Sequence, residues 1–125
     1  ITYKGVAYKV TSVAKEACKN RKRLKTAELG NNVKTIGQSA FYGCTALKSV
    51  VIPKGVTEIG KKAFYGCKKL SDIKVKSTVL KSVGSKALKG ISATAKIRVP
   101  AKKKTKYKTL FVKKGQGKKV KICGI

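Results

Sequence analysis

The chain has 125 residues, which suits a single domain with one continuous core. It carries 32 Lys and Arg against 4 Asp and Glu, for a net charge of +28, and it has no His. General acid–base catalysis and metal binding draw on His, Cys and paired carboxylates, so the composition argues against an enzyme, a metal site or a bound cofactor.

Residues 1–9 are predicted to form an N-terminal capping hairpin. Tyr3 and Val6 flank a turn signal at Lys4 and Gly5, and β-favouring residues on both sides of such a signal indicate two short antiparallel strands. The hairpin is expected to cover the first coil of the repeat that follows.

Residues 10–100 repeat one pattern with a period of 23 or 24 residues. The best internal match aligns 33–53 with 56–76, and both carry V-x-x-I-G-x-x-A-F-Y-G-C-x-x-L-x-x-[VI]-x-[IV]. Weaker copies begin at Val10 and Leu80, and degenerate outer copies are typical of capping repeats. The sequence therefore predicts four coils, with the boundaries 10–32, 33–55, 56–79 and 80–100.

Each coil is predicted to hold one strand and one turn that faces the core. Val50 and Ile52 alternate as in a half-buried strand, which Pro53 ends because proline cannot donate to a ladder. Apolar residues at three- and four-residue steps then indicate a short helical or irregular turn: Val33, Ile36, Ala40 and Phe41. Stacked coils would align their strands in a parallel sheet near 26–29, 49–52, 72–75 and 96–99.

Cys44 and Cys67 hold the same place in neighbouring coils. Stacking would put their Cα atoms about 4.8 Å apart, which a disulfide allows. Their Cβ atoms would point in parallel and stay too far apart, however, since a disulfide needs about 3.8 Å. We predict buried, reduced thiols that pack as small apolar groups. Without a C-x-x-C or Cys/His spacing, the sequence offers no zinc site.

Residues 101–125 are predicted to form a basic C-terminal cap. Tyr107 and Phe111 lie at helical spacing, Gly115 would end that helix, and Ile122 suggests a final strand. The alternative is a disordered basic tail, because the lysine density of this segment favours disorder.

The string A-F-x-G-C-x-x-L-x-x-[IV]-x-[IV]-P in this period resembles the BspA-like leucine-rich-repeat family, over residues 10–100 and more loosely in the flanks. The resemblance implies a right-handed α/β repeat solenoid with a parallel sheet on its concave side. It also implies a surface or secreted protein of anaerobic bacteria or some parasites, of a kind often linked to adhesion. The chain departs from the pattern where Cys18 and Leu88 replace Phe and where Arg21 and Ile91 replace Cys. Such repeats are a scaffold, so the partner does not follow from the resemblance.

The concave sheet face is the first candidate binding surface. The side chains between the inward strand residues should point out of it: Thr26, Glu28, Ser49, Val51, Asp72, Lys74, Lys96 and Arg98. The alternative is a solvated sheet face without a ligand, because four coils make a short, shallow surface.

Two basic clusters off that face are candidate contacts for polyanions. One contains Lys15, Lys19, Arg21, Lys22, Arg23 and Lys25, and the other contains Lys102, Lys103, Lys104, Lys106 and Lys108. The alternative is that lysine only keeps the protein soluble, although solubility alone would accept mixed charges. Tyr42 and Tyr65, which lie among lysines, are either a stacking platform for bases or sugars or a structural ladder.

The leading functional hypothesis is a monomeric, non-enzymatic binding or adhesion module that contacts anionic glycans or host or matrix proteins. The alternatives are a structural spacer and a sequence-blind nucleic-acid binder, since lysine rather than arginine dominates. No stretch approaches the roughly 20 apolar residues of a membrane span, and no signal peptide precedes the repeat. Because Ile1 is not a natural start, we expect an extracellular or cell-surface fragment of a larger exported protein.

Overall fold

The computed structural model describes residues 2–3, 6–7, 19–20, 22–30, 33–111, 114–117 and 119–124. The strands are β1 (Thr2–Tyr3), β2 (Val6–Ala7), β3 (Thr26–Glu28), β4 (Thr35–Ile36), β5 (Ser49–Ile52), β6 (Glu58–Ile59), β7 (Asp72–Val75), β8 (Ser82–Val83), β9 (Lys96–Val99) and β10 (Lys121–Gly124). A 3-10 turn at Ala101–Lys103 leads into the single α-helix of the described chain, α1 (Lys104–Phe111).

The main sheet runs along one side of the stacked coils. Its five strands lie in the order β10-β9-β7-β5-β3, and every neighbouring pair is parallel. Ala27, Val50, Ile73 and Ile97 share one row of the register, and all four side chains are buried. The 23-residue period predicted these four strands, and the α/β repeat solenoid is confirmed.

A second parallel sheet, in the order β4-β6-β8, forms another side of the coils. The sequence predicted a helical or irregular turn here and missed this sheet. The inward orientation of Val33, Ile36, Ala40 and Phe41 is as predicted, because all four are buried. Gly60 N–H donates to Ile36 O of the preceding coil at 2.7 Å, so the backbone pairs between coils rather than within one helical turn.

The Ala-Phe-Tyr-Gly turns stack as the third side of each coil. Phe41 N–H donates to Ala63 O at 2.8 Å, and Gly43 N–H donates to Tyr65 O at 2.8 Å. Gly43 has a φ of 74°, in the left-handed region that glycine enters without steric cost. These bonds join the turns of successive coils into a third backbone ladder.

The described residues of 101–125, the segment predicted to form a cap, pack on the same core. Tyr107 and Phe111 of α1 are fully buried, and β10 adds a fifth strand beside β9. This placement of α1 and β10 favours the cap over the disordered tail, and the cap stays a prediction for the segment as a whole. The fifth strand forms because Ile122 continues the inward row of Ile97.

At the other end, β1 and β2 pair antiparallel, with Thr2 opposite Ala7 and Tyr3 opposite Val6. Residues 8–18, with the start of the first predicted coil, lie outside the described residues.

Candidate functional site

The predicted concave-face residues lie in two rows that cross the main sheet. In the first row Thr26, Ser49, Asp72 and Lys96 are opposite one another, and in the second row Glu28, Val51, Lys74 and Arg98 are. The structure extends both rows onto β10, where Lys121 lies opposite Lys96 and Cys123 lies opposite Arg98. We call this surface the main-sheet face. The side chain of Glu28 lies outside the described residues.

The main-sheet face becomes basic toward β10. Lys74 lies directly opposite Arg98, and Lys96 lies directly opposite Lys121. Asp72 Oδ1 is 3.5 Å from Arg98 Nε, but both side chains are nearly half exposed, at 46% and 47%. Asp72 Oδ1 itself is buried, however, so this ion pair offsets part of the Arg98 charge. The basic character of this end of the sheet therefore rests on Lys74, Lys96 and Lys121.

The two basic clusters are only partly described. In the first cluster Lys19, Lys22, Arg23 and Lys25 are exposed, while Lys15 and Arg21 lie outside the described residues. In the second cluster Lys102, Lys106 and Lys108 are exposed, and Lys103 and Lys104 are half-buried. A Cβ atom on Gly124 would lie 3.6 Å from Lys104 Cδ, so the helix cluster adjoins β10. The Cβ position of Gly124 points to the same side of β10 as Ile122, away from Lys121 and Cys123, so the second cluster adjoins the end of β10 on the core side of the sheet.

Tyr42 and Tyr65 form the structural ladder rather than an open stacking platform. Their ring centroids are 4.8 Å apart and the rings are nearly parallel, at 2°. Lys62 and Lys89 place their Nζ atoms 5.8 and 5.9 Å from the Tyr65 centroid, and Lys19 places its own 5.3 Å from the Tyr42 centroid. Contacts with each other and with lysines therefore occupy the ring faces that a base or sugar would need.

Cys44 and Cys67 are buried and are not joined in a disulfide, as predicted. Cys67 Sγ donates to Phe41 O at 3.1 Å. A hydrogen bond with Cys44, together with burial, raises the pKa of the Cys67 thiol well above its ordinary value. Because the thiolate is the reactive form, Cys67 is inert in the folded protein. Cys123, on β10, is a free thiol that is only half-buried.

These thiols give the first testable prediction. In a Cys18→Ser variant, folded protein should react rapidly with a thiol reagent at Cys123 alone, and unfolded protein should show three thiols. Cys44 and Cys67 should react at least about 10³-fold more slowly than Cys123, because reaction waits for the core to open. A total of one thiol after unfolding without reductant would instead mean that Cys44 and Cys67 are joined.

Within the described ranges, no three His, Cys, Asp or Glu side chains group closely enough to hold a metal ion. In the same part of the chain, no helix has the length and apolar character needed to cross a bilayer.

Comparison with known proteins agrees with this geometry. The family model for the BspA type Leucine rich repeat region matches residues 9–124 in 6 copies. A leucine-rich repeat protein from Bacteroides ovatus ATCC 8483 is 29% identical with a TM-score of 0.75, over 98% of this chain and 32% of that one. This chain therefore spans about a third of that protein's length. A leucine rich repeat protein from T. pallidum is 22% identical with a TM-score of 0.49, over 90% of this chain and 62% of that one. No curated protein matches significantly. The chain belongs to the BspA type leucine-rich-repeat family.

Proposed function

We propose that this domain is a binding module that attaches a larger surface or secreted bacterial protein to anionic polymers. Its family supports an interaction or structural module, and leucine-rich-repeat families are typically non-enzymatic. The ligand class rests on the charges of the described residues.

The observation that carries the proposal is that two pairs of like-charged residues lie opposite each other across the main-sheet face. Cross-strand pairs of the same sign destabilise a sheet, by up to about 1 kcal/mol each. Lys74 opposite Arg98 and Lys96 opposite Lys121 impose this cost twice, and Asp72 is the one carboxylate that the described strands β5 to β10 place on this face. Proteins typically keep locally destabilising residue pairs where these serve a function. Here a bound polyanion would neutralise the two pairs and remove the repulsion between them.

The helix cluster adds a second basic surface at the end of β10. Lys104 lies beside Gly124 at the outer end of the sheet, and exposed lysines continue along α1. Lysine is a flexible point charge, which suits irregular anionic polymers better than one fixed geometry. Individual exposed lysine–anion contacts are weak, so the affinity must come from their number.

Heparin, as a model polyanion, tests the proposal. Replacing Lys102, Lys103, Lys104 and Lys106 together with Gln should lower heparin affinity about tenfold at 0.1 M salt, since several weak contacts disappear. Ser49→Ala, on the acidic side of the main-sheet face, should leave affinity unchanged. Affinity should also fall steeply as salt rises, because binding releases counterions. Circular dichroism would verify that α1 still forms in the variant.

The structural spacer is the alternative, favoured by three continuous backbone ladders that make the stack a regular rod of coils. Release from a heparin column at or below about 0.15 M salt, the physiological level, would contradict the proposal and leave the spacer. Duplex DNA that binds more tightly than heparin would instead favour the nucleic-acid alternative.

A further inference from the structure

A groove away from the main-sheet face carries a second set of lysines. It is open to solvent, has a volume of about 600 Å³, and is lined by Lys34, Lys54, Gly55, Thr57, Val79 and Lys81. It lies where the chain leaves the main sheet after β5 and enters the second sheet at β6. None of its lysines belongs to the two basic clusters predicted from the sequence.

Lys34, Thr57 and Lys81 occupy the same place in three successive coils. Thr57 N–H donates to Lys34 O at 2.8 Å, and Lys81 N–H donates to Thr57 O at 2.7 Å. The two lysines are thus held two coil spacings apart, about 10 Å between their Cα atoms. Both side chains are exposed, and Lys54 adds a third exposed ammonium group on the turn after β5. The backbone ladder fixes where these three charges emerge.

Val79 provides an apolar surface between these charges. It is 45% exposed, and it is the exposed large apolar side chain among the described residues. Hydrogen bonds to the buried Ser77 hold the backbone of Val79 in place. Val79 N–H donates to Ser77 Oγ at 3.1 Å, and Ser77 Oγ donates to Val56 O. The buried Tyr107 hydroxyl donates to Ser77 O at 2.8 Å and accepts from Leu80 N–H at 3.2 Å. A rigid apolar contact of this kind binds a ligand with little loss of conformational entropy.

We propose that this groove binds a short anionic saccharide, with its sulfate, phosphate or carboxylate groups on Lys34, Lys54 and Lys81 and an apolar ring face on Val79. Three cations line the groove, and its lining contains no carboxylate, although the exposed Glu58 follows Thr57 in the chain. An extended acidic peptide fits less well, because the ladder already uses Thr57 N–H and O, which leaves no backbone pairing at Thr57 for an added strand. This proposal takes from the proposed function only the class of ligand, an anionic polymer or saccharide. The groove is a different surface from the main-sheet face and the helix cluster.

Isothermal titration with a heparin-derived tetrasaccharide at 0.05 M salt tests this site. The variant Lys34→Gln/Lys54→Gln/Lys81→Gln should raise Kd about tenfold, since three charged contacts are lost. The matched control Lys48→Gln/Lys68→Gln/Lys69→Gln removes three exposed lysines elsewhere on the coils and should raise Kd less than about twofold, through net charge alone. Val79→Thr replaces one methyl group by a hydroxyl and should raise Kd about threefold.

The outcomes separate this site from the general charge. Equal losses of affinity in the two triple variants, or no tetrasaccharide binding to the unmodified protein, would contradict the proposal that the groove is a binding site. Binding of long heparin tests the proposed function separately. A hexaglutamate peptide that binds more tightly than the tetrasaccharide would overturn the ligand class. Urea unfolding of each variant controls for folding, and single Lys81→Gln and Val79→Thr proteins provide the comparison if the triple variant does not fold.

Discussion

Replacing Phe64 with alanine is expected to lower the free energy of unfolding by about 3–5 kcal/mol. Phe64 is fully buried and stacks on Phe41, with ring centroids 5.3 Å apart and the rings 4° from parallel. Its N–H donates to Ala87 O of the next coil at 2.9 Å, so coils on both sides hold the backbone and the cavity cannot close. Urea unfolding followed by circular dichroism would measure the change.

Tyr65→Ala is the control in the same turn. Tyr65 is partly exposed and stacks on Tyr42 at 4.8 Å, so the variant should lose only about 0.5–1.5 kcal/mol from the aromatic pair. Equal effects of the two substitutions would mean that the inner aromatic column does not hold the coils together.

The difference between inner and outer aromatics could be predicted from the sequence, because the repeat fixes the register. A shift of one residue in a strand turns every side chain to the opposite face. The inward residues Val50 and Ile73 recur 23 residues apart, and this spacing placed β5 and β7 where the structure has them.

The second sheet could not be predicted in this way. Its strands are two residues long, and each contributes one inward side chain, such as Ile36 in β4 and Ile59 in β6. Two residues show no alternation, and the bonds that define these strands run between coils 23 residues apart. The sequence pattern alone is therefore equally compatible with an irregular turn.

The groove was missed for a related reason. Its lysines are exposed residues in a lysine-rich chain, so nothing in their spacing distinguishes them. The fixed position of Val79 depends on hydrogen bonds between Tyr107 and the segment 77–80, which span 27 and 30 residues of sequence. A side chain on a C-terminal helix that supports a site spanning three coils leaves no local signal.

Tyr107 should therefore affect both stability and binding. Tyr107→Phe keeps the ring but removes the hydroxyl, which leaves Ser77 O and Leu80 N–H buried without this partner. We expect a loss of about 1–3 kcal/mol for these unsatisfied groups. Tyr107→Ala also opens a cavity at a fully buried position, so it should cost about 3–5 kcal/mol.

Leu110→Ala is the control on the same helix, because Leu110 is half-buried and makes no hydrogen bond to the segment 77–80 in the described chain. It should reduce stability less than Tyr107→Ala does and leave tetrasaccharide binding unchanged. Tyr107→Phe, in contrast, should weaken that binding under conditions where the protein is fully folded, because the segment that presents Val79 loses two of its anchors. A Tyr107→Phe protein with unchanged stability would show that these hydrogen bonds do not hold the segment. Lost stability with unchanged binding would show that the segment's position does not matter to the groove.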